Sequence, residues 1–217
     1  RSRGNAMKID SPTIQHDLPL KNFNDIFYEE DPELELCQIQ DAVFDNEVLP
    51  RVRFYKMILK NCKFQNTDFS GADFTDVVFD NCDFSNAKLN RSSIHRVEFV
   101  NCKLLGTDLT ESSLGNVSFK NSLLNLSAFG NSKLEKVQFH DTALENSDFY
   151  ECKFKKVEFT SCNINLANFE RTPLKGIDIS TSTFGTLTVS ISDLKGCKVS
   201  SFQAIQFSAM LGLVIVD

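Results

Sequence analysis

Three histidines and seven cysteines are the side chains of this 217-residue sequence best suited to nucleophilic, acid–base or metal chemistry. His16 lies near the N-terminus, with His95 and His140 far down the chain. Cys37, Cys62, Cys82, Cys102, Cys152, Cys162 and Cys197 contain no Cys-x-x-Cys pair, the spacing used by zinc and redox sites. Their numbers all end in 2 or 7, which puts them in one slot of a five-residue register. A reduced thiol there serves as a small hydrophobe. No acid, base or nucleophile pair recurs in the register and no Gly-rich phosphate loop interrupts it. The sequence therefore predicts no enzyme, no metal and no cofactor, with function carried by shape and surface charge.

The register extends far beyond the cysteines. Positions ending in 4 or 9 from Ile39 to Val199 number 33, and each is Phe, Leu, Ile or Val. Two residues earlier stand Ala, Cys, Ser, Thr or Val in 29 of 33 cases, the exceptions being Glu47, Met57, Ile177 and Leu187. Five residues turn an α-helix by about 500°, and an odd spacing in a strand changes face. Neither element can bury both slots, so the backbone must turn a corner in every pentapeptide. Four such corners close a coil and predict a second period of 20 residues, the mark of a solenoid. Val77, Val97, Val117, Val137 and Val157 supply that period. So do Asn61, Asn81, Asn101 and Asn121, which are expected to form a hydrogen-bonded corner ladder.

Eight coils fit, from 37–56 to 177–196. Phe119 is expected to point inward and Ser118 outward. Glu47 places a charge in an inward slot, and burying an unpaired carboxylate is costly; the first coil is expected to deform and release it. In the opening RSRGNAM, residues 1–6 read as the remnant of an expression tag before a natural start at Met7. Residues 7–36 lack the register and read as an irregular acidic N-terminal cap. Within them Leu20, Phe23, Ile26 and Phe27 are suited to one short helical turn on the first coil. Residues 37–200 form the shaft. Residues 201–217 read as a short helix, capped by Ser200 or Ser201 and ended by Gly212, with an apolar tail that must cover the last coil or pair with a second subunit. No apolar run is long enough for a membrane span and no signal pattern follows Met7, which predicts a cytoplasmic protein.

The register also sorts charge by side. The side centred on Phe54, Phe74, Ile94, Leu114, Leu134, Phe154, Leu174 and Leu194 is basic, carrying Arg53, Lys56, Arg96, Lys133, Lys136, Lys153, Lys155, Lys156, Lys175 and Lys195 against four acids. Another side displays Asp68, Asp108, Glu111, Asp148 and Glu151 at coil spacing. Such asymmetry orients encounters with charged partners.

The pentapeptide pattern over residues 37–200 resembles the pentapeptide-repeat family, which implies an all-β fold, a right-handed quadrilateral β-helix. The C-terminus is similar to that of the quinolone-resistance Qnr proteins: Gly196 and Lys198 in the last rung, Phe202-Gln203-Ala204, then Leu211-Gly212-Leu213 and an apolar tail. That resemblance implies a homodimer joined end to end through Phe202, Ile205, Met210, Leu211, Leu213 and Ile215. It further implies a DNA-mimicking rod whose acidic residues, here Asp68, Asp108, Glu111, Asp148 and Glu151, engage DNA gyrase and topoisomerase IV. The shaft departs from the Qnr pattern in being nearly neutral and in having no room for inserted loops. Two other readings stay open at this stage: a scaffold for an unrelated protein, and nucleic-acid binding through the basic side, although outward aromatic residues are too rare for base stacking.

Overall fold

The structure, a computed structural model, describes residues 7–217; residues 1–6, read above as a tag remnant, lie outside the described residues. Every position ending in 1 or 6 from Leu36 to Gly176 has a left-handed backbone, with φ between 48° and 77°. These are the corners. A left-handed residue costs an ordinary side chain roughly 1–2 kcal/mol, and Asn and Gly tolerate it best. That preference explains the periodic asparagines, since ten corners, including Asn61, Asn81, Asn101 and Asn121, are Asn. Asn81 also donates Nδ2 to Asn61 Oδ1 at 2.8 Å, but among the described residues the expected ladder stops there, since no side-chain hydrogen bond continues it to Asn101 or Asn121. Lys, Arg, Glu and Leu hold other corners because burial on either side over-determines the turn.

Seven strands stack in sequence order into one parallel sheet: β1 Glu33–Gln40, β2 Arg53–Lys60, β3 Asp73–Asp80, β4 Ser93–Val100, β5 Ser113–Lys120, β6 Lys133–His140 and β7 Lys153–Thr160. Each residue pairs with the one 20 positions later, as Val97 with Val117 and Phe99 with Phe119. Each strand bends at its corner and spans the basic side and the one after it. The remaining two sides are joined by single bridges such as Asp83↔Lys103 and Lys88↔Asp108.

The interior is a column of rings. Phe119 stacks between Phe99 and Phe139, with centroids 4.8 and 5.0 Å away and planes within 7°. The small slot does more than fill space. Thr107 Oγ1 donates to Phe84 O at 2.8 Å and Ser112 Oγ to Leu89 O at 3.1 Å, both to the carbonyl 23 residues back. Cys62, Cys82, Cys102, Cys152 and Cys162 make the same contact through Sγ. Ser, Thr and Cys recur there because each is small and carries a donor for a buried carbonyl.

Pro173 ends the sheet. It stands where Lys133 and Lys153 donate N–H to the previous coil, Lys153 to Ser132 O at 3.0 Å; proline has no N–H to give. Below β7 only the single bridges Glu158↔Asp178 and Asp178↔Lys198 continue that ladder. The expected eighth coil, 177–196, closes without a strand and contains a 3-10 turn, Ile191–Leu194. The regular part makes six full turns between its first and last strands, slightly fewer than expected.

Glu47 is exposed, but not by deformation. Its flanking corners Asn46 and Arg51 keep φ of 60° and 59°, and no rung of the shaft stacks above it to bury its slot. At that end a 3-10 turn, Phe23–Tyr28, buries Phe23 and Ile26 while Leu20 and Phe27 stay exposed. Residues 7–17, read as part of the cap, instead run along the outside of the shaft, and regular strand structure begins at Glu33 rather than 37.

Candidate partner-binding surfaces

The seven thiols are reduced, six of them buried and Cys197 half-buried. Burial pushes the thiol of Cys152 up to about 12 and those of Cys162 and Cys197 up to about 11, so none of these is a thiolate at neutral pH. Among the described residues, no group of three or more His, Cys, Asp or Glu is placed to hold a metal, and no helix is long and apolar enough to cross a membrane.

The proposed acidic residues lie on one side of the shaft, and local backbone fixes three of them. Asp68 Oδ1 accepts Ser70 N–H at 2.9 Å, Asp108 Oδ1 accepts Thr110 N–H at 2.9 Å, and Asp148 Oδ1 accepts Tyr150 N–H at 3.0 Å. Each is an Asx turn that holds its carboxylate in one orientation. The Ser70 backbone N–H and hydroxyl hold the Asp68 carboxyl below its usual range, with Lys88 adding to the effect. Asp68, Asp108 and Asp148 are 40 residues, or two coils, apart, about 9.6 Å at sheet spacing. Glu111 is exposed at a corner, whereas Glu151 pairs with Arg171 at 2.8 Å. Arg51, Lys88 and Arg91 interrupt this side, so its carboxylates are separate points rather than an unbroken stripe.

Sequence sorting by side missed the concentration of charge along the axis. Residues 18–47, at the N-terminal end, hold nine acidic and one basic side chain, net −8, while the basic side is richest near the other end. There Lys153, Lys155, Lys156, Lys175 and Lys195 are all exposed.

Helix α1, Ser201–Ser208, covers the last coil. Ser200 and Gln203 form a reciprocal capping box. The helix does not bury Phe202 and Ile205, which are 70% and 53% exposed. It buries Gln203, whose Nε2 donates to Ile179 O and Ser182 O at 2.8 and 2.7 Å, and it packs Phe207 on Phe184 at 5.2 Å. A polar residue faces inward because an end rung presents unpaired carbonyls as well as apolar rings. The signal in the sequence was the Ser200–Gln203 spacing. Met210, Leu211, Leu213 and Ile215 are exposed, and Val214 and Val216 more so at 87% each. An apolar groove of about 280 Å³ between the last coil and α1 is lined by Leu194, Val199, Phe207 and Leu211 among others.

The structure also pairs residues that the register had sorted only by side. Asp76, nearly fully buried, receives Arg96 Nε at 2.6 Å and Nη2 at 3.0 Å, and Thr13 N–H at 3.0 Å. Burial pushes its carboxyl upward, but the Arg96 hydrogen bonds, the Thr13 N–H and the nearby charges of Arg96 and Lys56 outweigh it and leave it below the usual range. Ser118, expected to face water, is only 1% exposed. It points away from the core, but lies between Asn116 and Gln138, which hold the N-terminal segment against this side.

Two descriptions of pentapeptide repeats match the sequence: a pentapeptide repeat region at 72–147 and 92–169, and nine-copy pentapeptide repeats at 31–103. No curated relative matches. Among solved structures, a trypsin-treated form of QnrB1, a plasmid-mediated fluoroquinolone resistance protein, superposes with a TM-score of 0.57 at 23% identity, covering 83% of this chain and 92% of that one. A second trypsin-treated form gives 0.50 at 20% identity, covering 83% and 100%. A pentapeptide repeat protein of the Arabidopsis thaliana thylakoid lumen gives 0.41 at 26% identity over 43% of this chain and 65% of that one. At 23% and 20% identity the likeness to the two QnrB1 forms is one of fold. With the repeat matches and the unbroken ladder of corners, it places this chain in the pentapeptide-repeat family.

Proposed function

We propose that this protein is a non-enzymatic, Qnr-like mimic of duplex DNA that binds a type II topoisomerase, DNA gyrase first and topoisomerase IV second, as a homodimer joined at its C-termini. The observation that carries this reading is the seating of Asp68, Asp108 and Asp148 by Asx turns at two-coil steps on one side of the shaft. A polyanion mimic needs carboxylates that need no ordering when they meet a cationic groove, because ordering side chains on binding costs affinity. The net −8 over residues 18–47 adds the same polarity at the N-terminal end of the shaft. The fold is that of QnrB1, a protein named for fluoroquinolone resistance.

The dimer part of the reading rests on the apolar, exposed C-terminus: Phe202, Ile205, Met210, Leu211, Leu213 and Ile215. A contiguous apolar surface of this kind marks an interface. The test of function is gyrase supercoiling, with and without a fluoroquinolone, in the presence of the wild-type protein or its Asp108→Lys/Glu111→Lys variant. The wild type is expected to inhibit gyrase or relieve drug-induced cleavage, and the variant to lose that effect while keeping its fold. Sedimentation of the intact chain as a monomer would remove the dimer from the account.

A further inference from the structure

One side of the shaft already binds a peptide, and the peptide is the chain's own N-terminal segment. Residues 7–18 run along it toward the first coil, opposite to the direction in which the coils progress. The segment is held through its main chain by side chains of successive coils. Gln138 Nε2 donates to Met7 O at 2.8 Å and Met7 N–H to Glu158 Oε1 at 3.2 Å. Asp10 N–H donates to Asn116 Oδ1 at 2.9 Å, Thr13 N–H to Asp76 Oδ1 at 3.0 Å, and Gln38 Nε2 to Leu18 O at 3.2 Å.

The spacing is commensurate. Asn116 and Asp76 are two coils apart, about 9.6 Å, and the three extended residues from Asp10 to Thr13 span about 10 Å. A threefold extended chain of the polyproline II kind returns the same side every third residue, about 9.3 Å on, and Met7, Asp10 and Thr13 donate their N–H groups at that interval. Grip on the segment's side chains is slight: Met7, Ile9, Pro12 and Ile14 are half-buried, and only Leu18 is fully buried. The segment also leaves the side incompletely satisfied. Ser118 Oγ, buried between Asn116 and Gln138, has no hydrogen-bond partner among the described residues.

We propose that this side is a docking track for an extended polypeptide of about twelve residues, read through its main chain, and that residues 7–18 occupy it in cis as a displaceable strap. This goes beyond the topoisomerase reading and does not depend on it. A tethered segment faces a trans competitor at a millimolar effective concentration, so the test must release the strap without touching the shaft.

Asp10→Pro/Thr13→Pro in the full chain removes the two N–H donors to Asn116 and Asp76. Its melting curve should keep a single shaft transition. A fluorescein-labelled peptide of residues 7–20 should then bind the released variant saturably in anisotropy titrations, and bind the wild type at least about tenfold more weakly. A peptide N-methylated at the positions of Asp10 and Thr13 should not bind. Asn116→Ala in the released background should weaken binding. Equal binding to wild type and released variant, or none to either, overturns the proposal. Undiminished binding of the N-methylated peptide overturns main-chain reading. If the released variant fails to fold, amide exchange of the wild type decides: Asn116→Ala should deprotect the Asp10 amide while leaving β4 to β6 protected, and loss of protection across those strands contradicts a separable strap.

Discussion

The middle of the shaft and its two ends obey different rules. In the middle each residue is satisfied by its own counterpart one coil away: Phe119 by Phe99 and Phe139, and the backbone by the ladder. At the ends no counterpart exists, and residues used once do the work. Phe23 packs on Phe44 and Phe64 at 4.6 and 5.5 Å at one end, and Gln203 with Phe207 closes the other. A solenoid propagates stability by stacking and must end it with something outside the repeat. Its repeated interior therefore resists single changes least where both neighbours are rigid, and its ends are where exposed apolar surface collects.

The largest expected effect tests that contrast directly. Phe119→Ala leaves a cavity between two stacked rings and should cost about 3–5 kcal/mol in denaturant unfolding. Phe184→Ala at the last coil, where α1 covers the ring, should cost less, because a helix can settle into the space and a fixed rung cannot. Equal losses would mean that the end is packed as rigidly as the middle. Next comes Gln203→Ala, which strands the buried carbonyls of Ile179 and Ser182. The cost should be about 1–3 kcal/mol, with faster proteolysis confined to residues after Val199.

The middle was legible in the sequence because a five-residue slot dictates side-chain direction wherever rungs lie on both sides. Corner asparagines, the inward phenylalanines and the cysteine column follow from it. The cysteines' role as donors to carbonyls 23 residues back was not legible, since that contact crosses a coil. The ends escaped for the same reason. Nothing periodic marks Gln203 as buried, and a hydrophobic stripe drawn through Phe202 and Ile205 points to the exposed side of α1. Glu47 was legible as anomalous but not as the open edge of the first rung. The coil spacing of the acidic residues was legible, yet their Asx turns and the ion pair of Glu151 depend on backbone detail. The strap was invisible: its contacts are between main-chain groups and side chains as many as 151 positions away.

Acid titration sharpens the comparison at the seam between strap and shaft. The Asp76 carboxyl is held below its ordinary value of 3.8 in the folded protein. Its stabilisation is therefore complete above that value and lost as pH falls through the lower folded one. Asp76→Asn should lower stability at neutral pH by about 1–2 kcal/mol, less than a fully buried pair because Arg96 is 30% exposed. It should also flatten the acid limb of the melting profile, and an unchanged limb would remove Asp76 from the account. The smallest effect belongs to Lys155→Ala. Its pair with Glu135 spans 3.5 Å between side chains 72% and 57% exposed, so melting should shift by less than about 0.5 kcal/mol.

The central claim is that carboxylates, not lysines, carry recognition. The measurement that tests it most directly is equilibrium binding of purified DNA gyrase to immobilised wild type, to Asp108→Lys/Glu111→Lys, and to Lys153→Glu/Lys156→Glu, each verified as folded. Opposite charge attracts and like charge repels at a cationic DNA groove. Binding should be lost in the first variant and kept or strengthened in the second. Loss confined to the lysine variant, or no binding by the wild type, would contradict the DNA-mimic account.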